Sequence, residues 1–195
     1  MWLPMFKDAR MFRRNPLLWI AIVCFAPFVA SFMAYYFLQP SSRVNYGDLI
    51  DVQNLPSVTL QQIDGQAFQF NALQGKWWYF TIDDADCNQY CEQKLWQIRQ
   101  VRKTQGKHPE RIERVWLITG KGQPGEHLQK EYGGTAFVLL NDLSIVSRLP
   151  YTQSLNDHIF LVDPLGNVVL RYPKNADSTR MRKDLERLLK VSRIG

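Results

Sequence analysis

The chain has 195 residues, of which 46% are apolar, 13% aromatic and 22% charged; this excludes a disordered or collagen-like polymer and leaves room for one ordinary domain plus a further segment. Its three cysteines exclude a disulfide-knit miniprotein, because any single pairing leaves one thiol over. The formal charge is +6, but Lys7, Arg10, Arg13 and Arg14 against Asp8 put +3 of it into residues 1–40, and the +3 spread over the remainder is too mild for a nucleic-acid surface.

Residues 1–16 read as a basic tail. From Leu17 to Leu38 the chain then runs for 22 residues without a charge, roughly 33 Å as a helix against a hydrocarbon core of about 30 Å. This predicts a transmembrane helix over 17–38. Cations precede it, whereas Gln39, Pro40, Ser41 and Ser42 follow, so the positive-inside rule places the amino terminus in the cytoplasm and all beyond residue 40 outside. Trp19, Tyr35 and Tyr36 suit the interfacial belts, and Pro27 is tolerable in a bilayer. A cleaved signal peptide fits less well: the run exceeds an apolar region of about 7 to 15 residues, and the best small-residue site, Val29-Ala30-Ser31, lies inside it. Cys24 reads as a small apolar residue of the span. Residues 39–55, polar and turn-rich, read as a linker leading to a domain over 56–195.

That domain opens on a hairpin, Val58–Ile63 and Ala67–Phe70 around Asp64-Gly65. Trp77–Ile82 is a continuous apolar run of strand length, expected of a central strand covered on both faces. Cys91, Leu95, Ile98 and Arg102 share one helical face, which predicts a helix over about 88–104. Val115–Thr119 reads as a second buried strand. A short polar helix from about Gly125 to Tyr132 ends at Gly133-Gly134, and Ala136–Leu140 reads as a third strand. Ile159–Val162 and Val168–Tyr172 flank the turn-rich Asp163–Asn167, a second hairpin. A last helix from Asp177 or Ser178 carries Met181, Leu185, Leu188 and Leu189 on one side. The class is α/β, a mixed sheet with flanking helices, and the order matches the thioredoxin arrangement.

Chemistry concentrates at Asp83-Asp84-Ala85-Asp86-Cys87-Asn88-Gln89-Tyr90-Cys91, between the central strand and the first long helix. Two thiols four apart at a helix start share the side of its first turn, and the positive end of the helix lowers the pKa of the first of them. The acidic run opposes a thiolate and favours an incoming cation. In an outward compartment the pair can form a disulfide, bind a soft metal, exchange between those states, or simply tie helix to loop.

Gly75-Lys76-Trp77-Trp78-Tyr79-Phe80, the Cys87-x-x-x-Cys91 spacing, and a later His followed by Asp163-Pro164-Leu165-Gly166 resemble the Sco/SenC family. Its members are membrane-anchored thioredoxin-fold proteins that assist copper insertion into cytochrome c oxidase. The stretch Asp157–Asn167 and the ending Leu188–Gly195 are also similar to short transmembrane proteins that accompany oxidase assembly factors in bacterial oxidase gene clusters. The resemblance implies Cys87 and Cys91 as the paired thiols, catalytic if the pair is a redox centre and metal-binding if it holds copper. It implies His158 as a third, imidazole ligand, although His158 stands nearer its turn proline than in the family pattern. It further implies a bacterial inner-membrane location with a periplasmic domain, and an oxidase subunit or another assembly factor as partner.

Asp157 is a candidate for orienting the His158 ring. His108 and His127 read as solvated surface residues, and Trp77, Trp78 and Trp116 as core. Three functions stay open: an oxidase assembly factor that handles copper or the thiols of its site, a metal-free thiol-disulfide oxidoreductase, and a non-catalytic scaffold with a structural disulfide. A cis-proline expected of the second is missing at Asn156-Asp157-His158. No phosphate loop or serine elbow supports a nucleotide-binding enzyme or a hydrolase.

Overall fold

The computed structural model describes residues 16–37, 45–106, 109–151 and 154–192. Residues 1–15 of the 1–16 basic tail, the beginning of the linker and His108 lie outside the described residues. The chain divides into two compact units, Met1–Val44 and Asn45–Gly195.

In the first unit, α1 (Pro16–Phe37) is a 22-residue helix containing Pro27 with no buried residue. Its mean hydropathy of 2.3 makes it long and apolar enough to cross a membrane. It is apolar all round, the pattern of a helix whose surroundings are apolar on every side.

The second unit is built on one sheet. Its strands are β1 (Asp48–Asn54), β2 (Thr59–Gln62), β3 (Ala67–Gln69), β4 (Trp77–Asp84), β5 (Ile112–Thr119), β6 (Ala136–Leu139), β7 (Ile159–Val162) and β8 (Asn167–Tyr172). The helices are α2 (Gln89–Lys103), α3 (Glu126–Glu131) and α4 (Ser178–Val191). The spatial order is β1-β8-β7-β4-β5-β6-β2-β3. β4, β5 and β6 run parallel, and the other neighbours pair antiparallel. A parallel pair needs a crossover, which α2 supplies between β4 and β5.

Strand parity divides the core. Trp77 and Tyr79 of β4 face the cluster that includes Leu95, Ile98, Met181 and Leu185 from α2 and α4. Trp78, Phe80 and Ile82 face the opposite cluster with Phe70, Ile145, Leu149 and Phe160. β4 is buried for seven of its eight residues, as its continuous apolar run predicts. Asp177 caps α4 by accepting from the Thr179 and Arg180 N–H groups.

The segment 39–55 departs from its reading as a linker: seven of its residues form β1, paired with β8. Pairing on one edge only, with Leu49 exposed, explains why it lacks an apolar alternation. It is held by tertiary bonds instead. The buried Asp184 carboxylate accepts the Tyr46 N–H and the Gly47 N–H at 2.9 Å, and Arg171 pairs with Asp48 at 3.1 Å.

Candidate functional site

β4, β5 and β6 end on the same side of the sheet, where loops leave the carboxyl ends of parallel strands and sites are commonly built. From Asp84 the chain makes a turn closed by the Cys87 N–H donating to the Asp84 carbonyl at 3.1 Å. Cys87 sits at φ +35°, in the left-handed region that a non-glycine residue enters at a cost. Asn88 follows as the N-cap of α2, its Oδ1 accepting from the Tyr90 and Cys91 N–H groups, each at 3.0 Å. The Cys87 and Cys91 sulfurs are bonded to each other, with 5.2 Å between the two Cα atoms.

One expectation changes here. Cys87 stands two residues before Gln89, the first residue of α2, rather than in its first turn, and the Tyr90 and Cys91 N–H groups are occupied by Asn88. Both cysteines are also buried: Cys87 is 6% exposed and Cys91 1%. The reason is that Cys91 points with Leu95 and Ile98 into the core between α2 and the sheet. Cys87 is therefore the outer of the two. Across from this turn, the loop after β5 carries Gly120 and Gly122, both at positive φ; a Cβ on Gly122 would lie 3.4 Å from that of Ala85.

The acidic run is not one patch. Asp83 shares the parity of Trp77 and Tyr79 and turns inward, where its carboxylate meets Lys94 Nζ at 2.6 Å with both side chains buried. Burial pushes the Asp83 carboxyl up to about 6, against the pull of Lys94, and burial likewise moves the Lys94 ammonium down. Asp84 accepts from the Thr119 hydroxyl, and Asp84 and Asp86 are exposed. Lys94 also donates to the Asn156 carbonyl, and the Tyr90 hydroxyl donates to the Asp157 carbonyl at 2.9 Å. The cysteine helix is thereby fastened to the loop before β7. This pairing is readable in principle, since Lys94 stands on the helix face of Cys91 and Leu95, where a cation requires a buried partner.

His158 ends that loop. It is 5% exposed and its Nδ1 lies 2.9 Å from the Tyr172 carbonyl oxygen. The Asp157 carboxylate does not orient the ring through Nδ1; it pairs with Lys174 at 2.8 Å. Among the described residues no three His, Cys, Asp or Glu side chains gather into a group that could hold a metal ion. His158 is thus not brought together with Cys87 and Cys91 as a three-ligand copper site, and a bonded pair of sulfurs offers no thiolates. His127 is exposed, as read.

The family described as transmembrane-like, thioredoxin-like, C-terminal domain matches residues 77–192. No curated protein matches the chain. Among solved structures it is similar to a SCO1/SenC family lipoprotein from Bacillus anthracis, at 14% identity and TM-score 0.56, covering 73% of this chain and 99% of that one. It is also similar to yeast Sco1 with copper bound, at 15% identity and TM-score 0.57, covering 72% and 90%. A third is BsSco, a member of the Sco family of cytochrome c oxidase assembly proteins in which a disulfide switch was identified, at 13% identity and TM-score 0.56, covering 77% and 100%. At these identities the likeness shows the thioredoxin-like fold.

Proposed function

The chain belongs to the transmembrane-like, thioredoxin-like C-terminal domain family, and on that premise we propose that it is a membrane-anchored factor of cytochrome c oxidase assembly that handles the thiols of a copper site through a reversible Cys87–Cys91 disulfide. In this reading α1 anchors it in the bacterial inner membrane, the amino terminus is cytoplasmic and the domain is periplasmic. It acts stoichiometrically on an oxidase subunit or a second assembly factor, as an assembly protein rather than a turnover enzyme.

The observation that carries the reading is where the disulfide sits and how little chain it closes. A sequence separation of four gives a chain-entropy gain of about 2 kcal/mol, among the smallest a disulfide can provide. A link that short is a poor staple, and Asn88 already fixes the start of α2. Its place beyond the carboxyl ends of parallel strands, with Cys87 the less buried of the two, supports exchange there. The reduced Cys87 sulfur attacks a client disulfide and releases one client thiol; Cys91 then displaces the other and closes the pair, so that two electrons and two protons pass to the client.

Copper handling is the second reading, favoured by the copper-bound yeast relative of the same fold and by the affinity of thiolates for Cu(I). Titrating the reduced full chain in detergent micelles with Cu(I) and Cu(II), alongside Cys87→Ser, Cys91→Ser and His158→Ala, separates the two. Thiol handling predicts exchange with a client disulfide that Cys87→Ser abolishes, Cys91→Ser arrests at the mixed disulfide and His158→Ala retains. Stoichiometric copper lost in all three variants would install the copper reading in its place.

A further inference from the structure

The outward side of α4 carries charge of one sign. Arg180, Lys183, Arg187 and Lys190 are all exposed, and their spacing of three, four and three residues lines them up along one helical face. Met181, Asp184, Leu185 and Leu189 hold the buried side. Each neighbouring pair in the stripe repels, at a cost to the helix. The helix dipole favours Lys190 in the last turn but disfavours Arg180 in the first. A solvated face ordinarily mixes its signs, as Glu126 and Lys130 do on α3. The two carboxylates of α4 do not balance its five cations. Glu186 pairs with Arg182 at 2.6 Å. Asp184, 1% exposed and 3.7 Å from Arg187, holds the Tyr46 and Gly47 N–H groups.

The chain enters the domain on this same helix. Besides the bonds to Asp184, the Tyr46 hydroxyl accepts the Asp177 N–H at 3.1 Å, and the Arg180 guanidinium lies 4.8 Å from the centre of the Tyr46 ring. Tyr46 stands nine residues after Phe37, the last residue of α1, and nine residues reach at most about 32 Å.

We propose that the α4 stripe is a docking surface for the anionic phospholipid headgroups of the bilayer that holds α1. Arg180 and Arg187 present forked N–H donors to phosphate oxygens, and Lys183 and Lys190 present compact charges. A tether this short keeps the stripe at high local concentration over the headgroups, so a modest intrinsic attraction suffices. The proposal rests on the reading of α1 as an anchor and adds a fixed orientation of the domain on the membrane.

The test places the full chain in nanodiscs of phosphatidylcholine, with or without phosphatidylglycerol, and follows acetylation of each lysine by a neutral reagent, read by mass. Lys183 and Lys190 are expected to react roughly threefold or more slowly in the anionic discs. Lys76 and Lys130, exposed on other parts of the domain, are expected to react equally in both. Salt at about 1 M, where the screening length falls to about 3 Å, removes the difference. Arg180→Gln with Arg187→Gln leaves both reporter lysines in place and abolishes their protection, with unchanged rates at Lys76 and Lys130 showing that the fold is kept. Arg180→Lys with Arg187→Lys conserves the charge and retains the protection. Equal rates in the two kinds of disc overturn the docking and would leave the stripe to an acidic protein partner. Protection that survives the salt or the two glutamines overturns it as well. A chain that does not co-purify with either disc overturns the anchoring of α1, and the docking with it.

Discussion

Lys94→Met is the perturbation that tests most sharply how the site is supported. At 2.6 Å the attraction between unit charges is about 6 kcal/mol for an effective dielectric near 20. The desolvation of each ion costs several kcal/mol, so the pair as a whole is close to break-even, while removal of one partner leaves the other's cost standing. Lys94→Met is therefore expected to cost about 3–5 kcal/mol in urea unfolding, and Asp83→Asn with Lys94→Met together much less than the sum of the two single changes. The pH dependence carries a definite sign. The Asp83 carboxyl is raised from 3.8 to about 6, so the folded chain binds the extra proton and stability falls as pH rises through that window, by about 3 kcal/mol. In Lys94→Met, burial acts unopposed and the carboxyl rises further, so the destabilisation is smaller at pH 5 than at pH 8. Additive single costs, or a Lys94→Met cost below about 1 kcal/mol, would refute the reasoning.

Other changes give distinct signatures. Cys87→Ser with Cys91→Ser is expected to abolish exchange yet lower stability by only about 2 kcal/mol, read from the shift in the urea midpoint. Asp184→Ala removes the acceptor of the Tyr46 and Gly47 N–H groups and is expected to cost about 3 kcal/mol, with proteolysis opening first at the entrance to β1. Tyr90→Phe deletes the hydroxyl that bonds the Asp157 carbonyl and the Asn175 N–H; a loss of about 1–2 kcal/mol is expected, with hydrogen exchange rising in the loop before β7.

The parts of this fold with strong periodicity were legible in the sequence. The turn at Asp64-Gly65, the unbroken run of β4, the stripe of α2 and the Met181–Leu189 face of α4 all stand where composition and spacing put them. β1 was not, because an edge strand paired on one side and anchored by Asp184, more than a hundred residues away in the chain, carries no local apolar signal. At the site, the junction and the proximity of the two thiols followed from position alone. The helix start near residue 88 was also legible, with Asn88 as the N-cap of α2; the left-handed turn that holds Cys87 before it was not. Nor was the fate of the acidic run, since whether Asp83 repels a thiolate or neutralises Lys94 depends on which face of β4 it occupies. His158 followed from resemblance, and its engagement with Tyr172 is a contact between the loop before β7 and strand β8 that spacing does not encode.

The most direct measurement mixes the reduced full chain in detergent micelles with an oxidised copper-site dithiol segment of an oxidase subunit and counts free thiols on both by alkylation and mass. One client disulfide opened for each Cys87–Cys91 pair closed is the expected result. A client that stays oxidised beside a pair that stays reduced would contradict it.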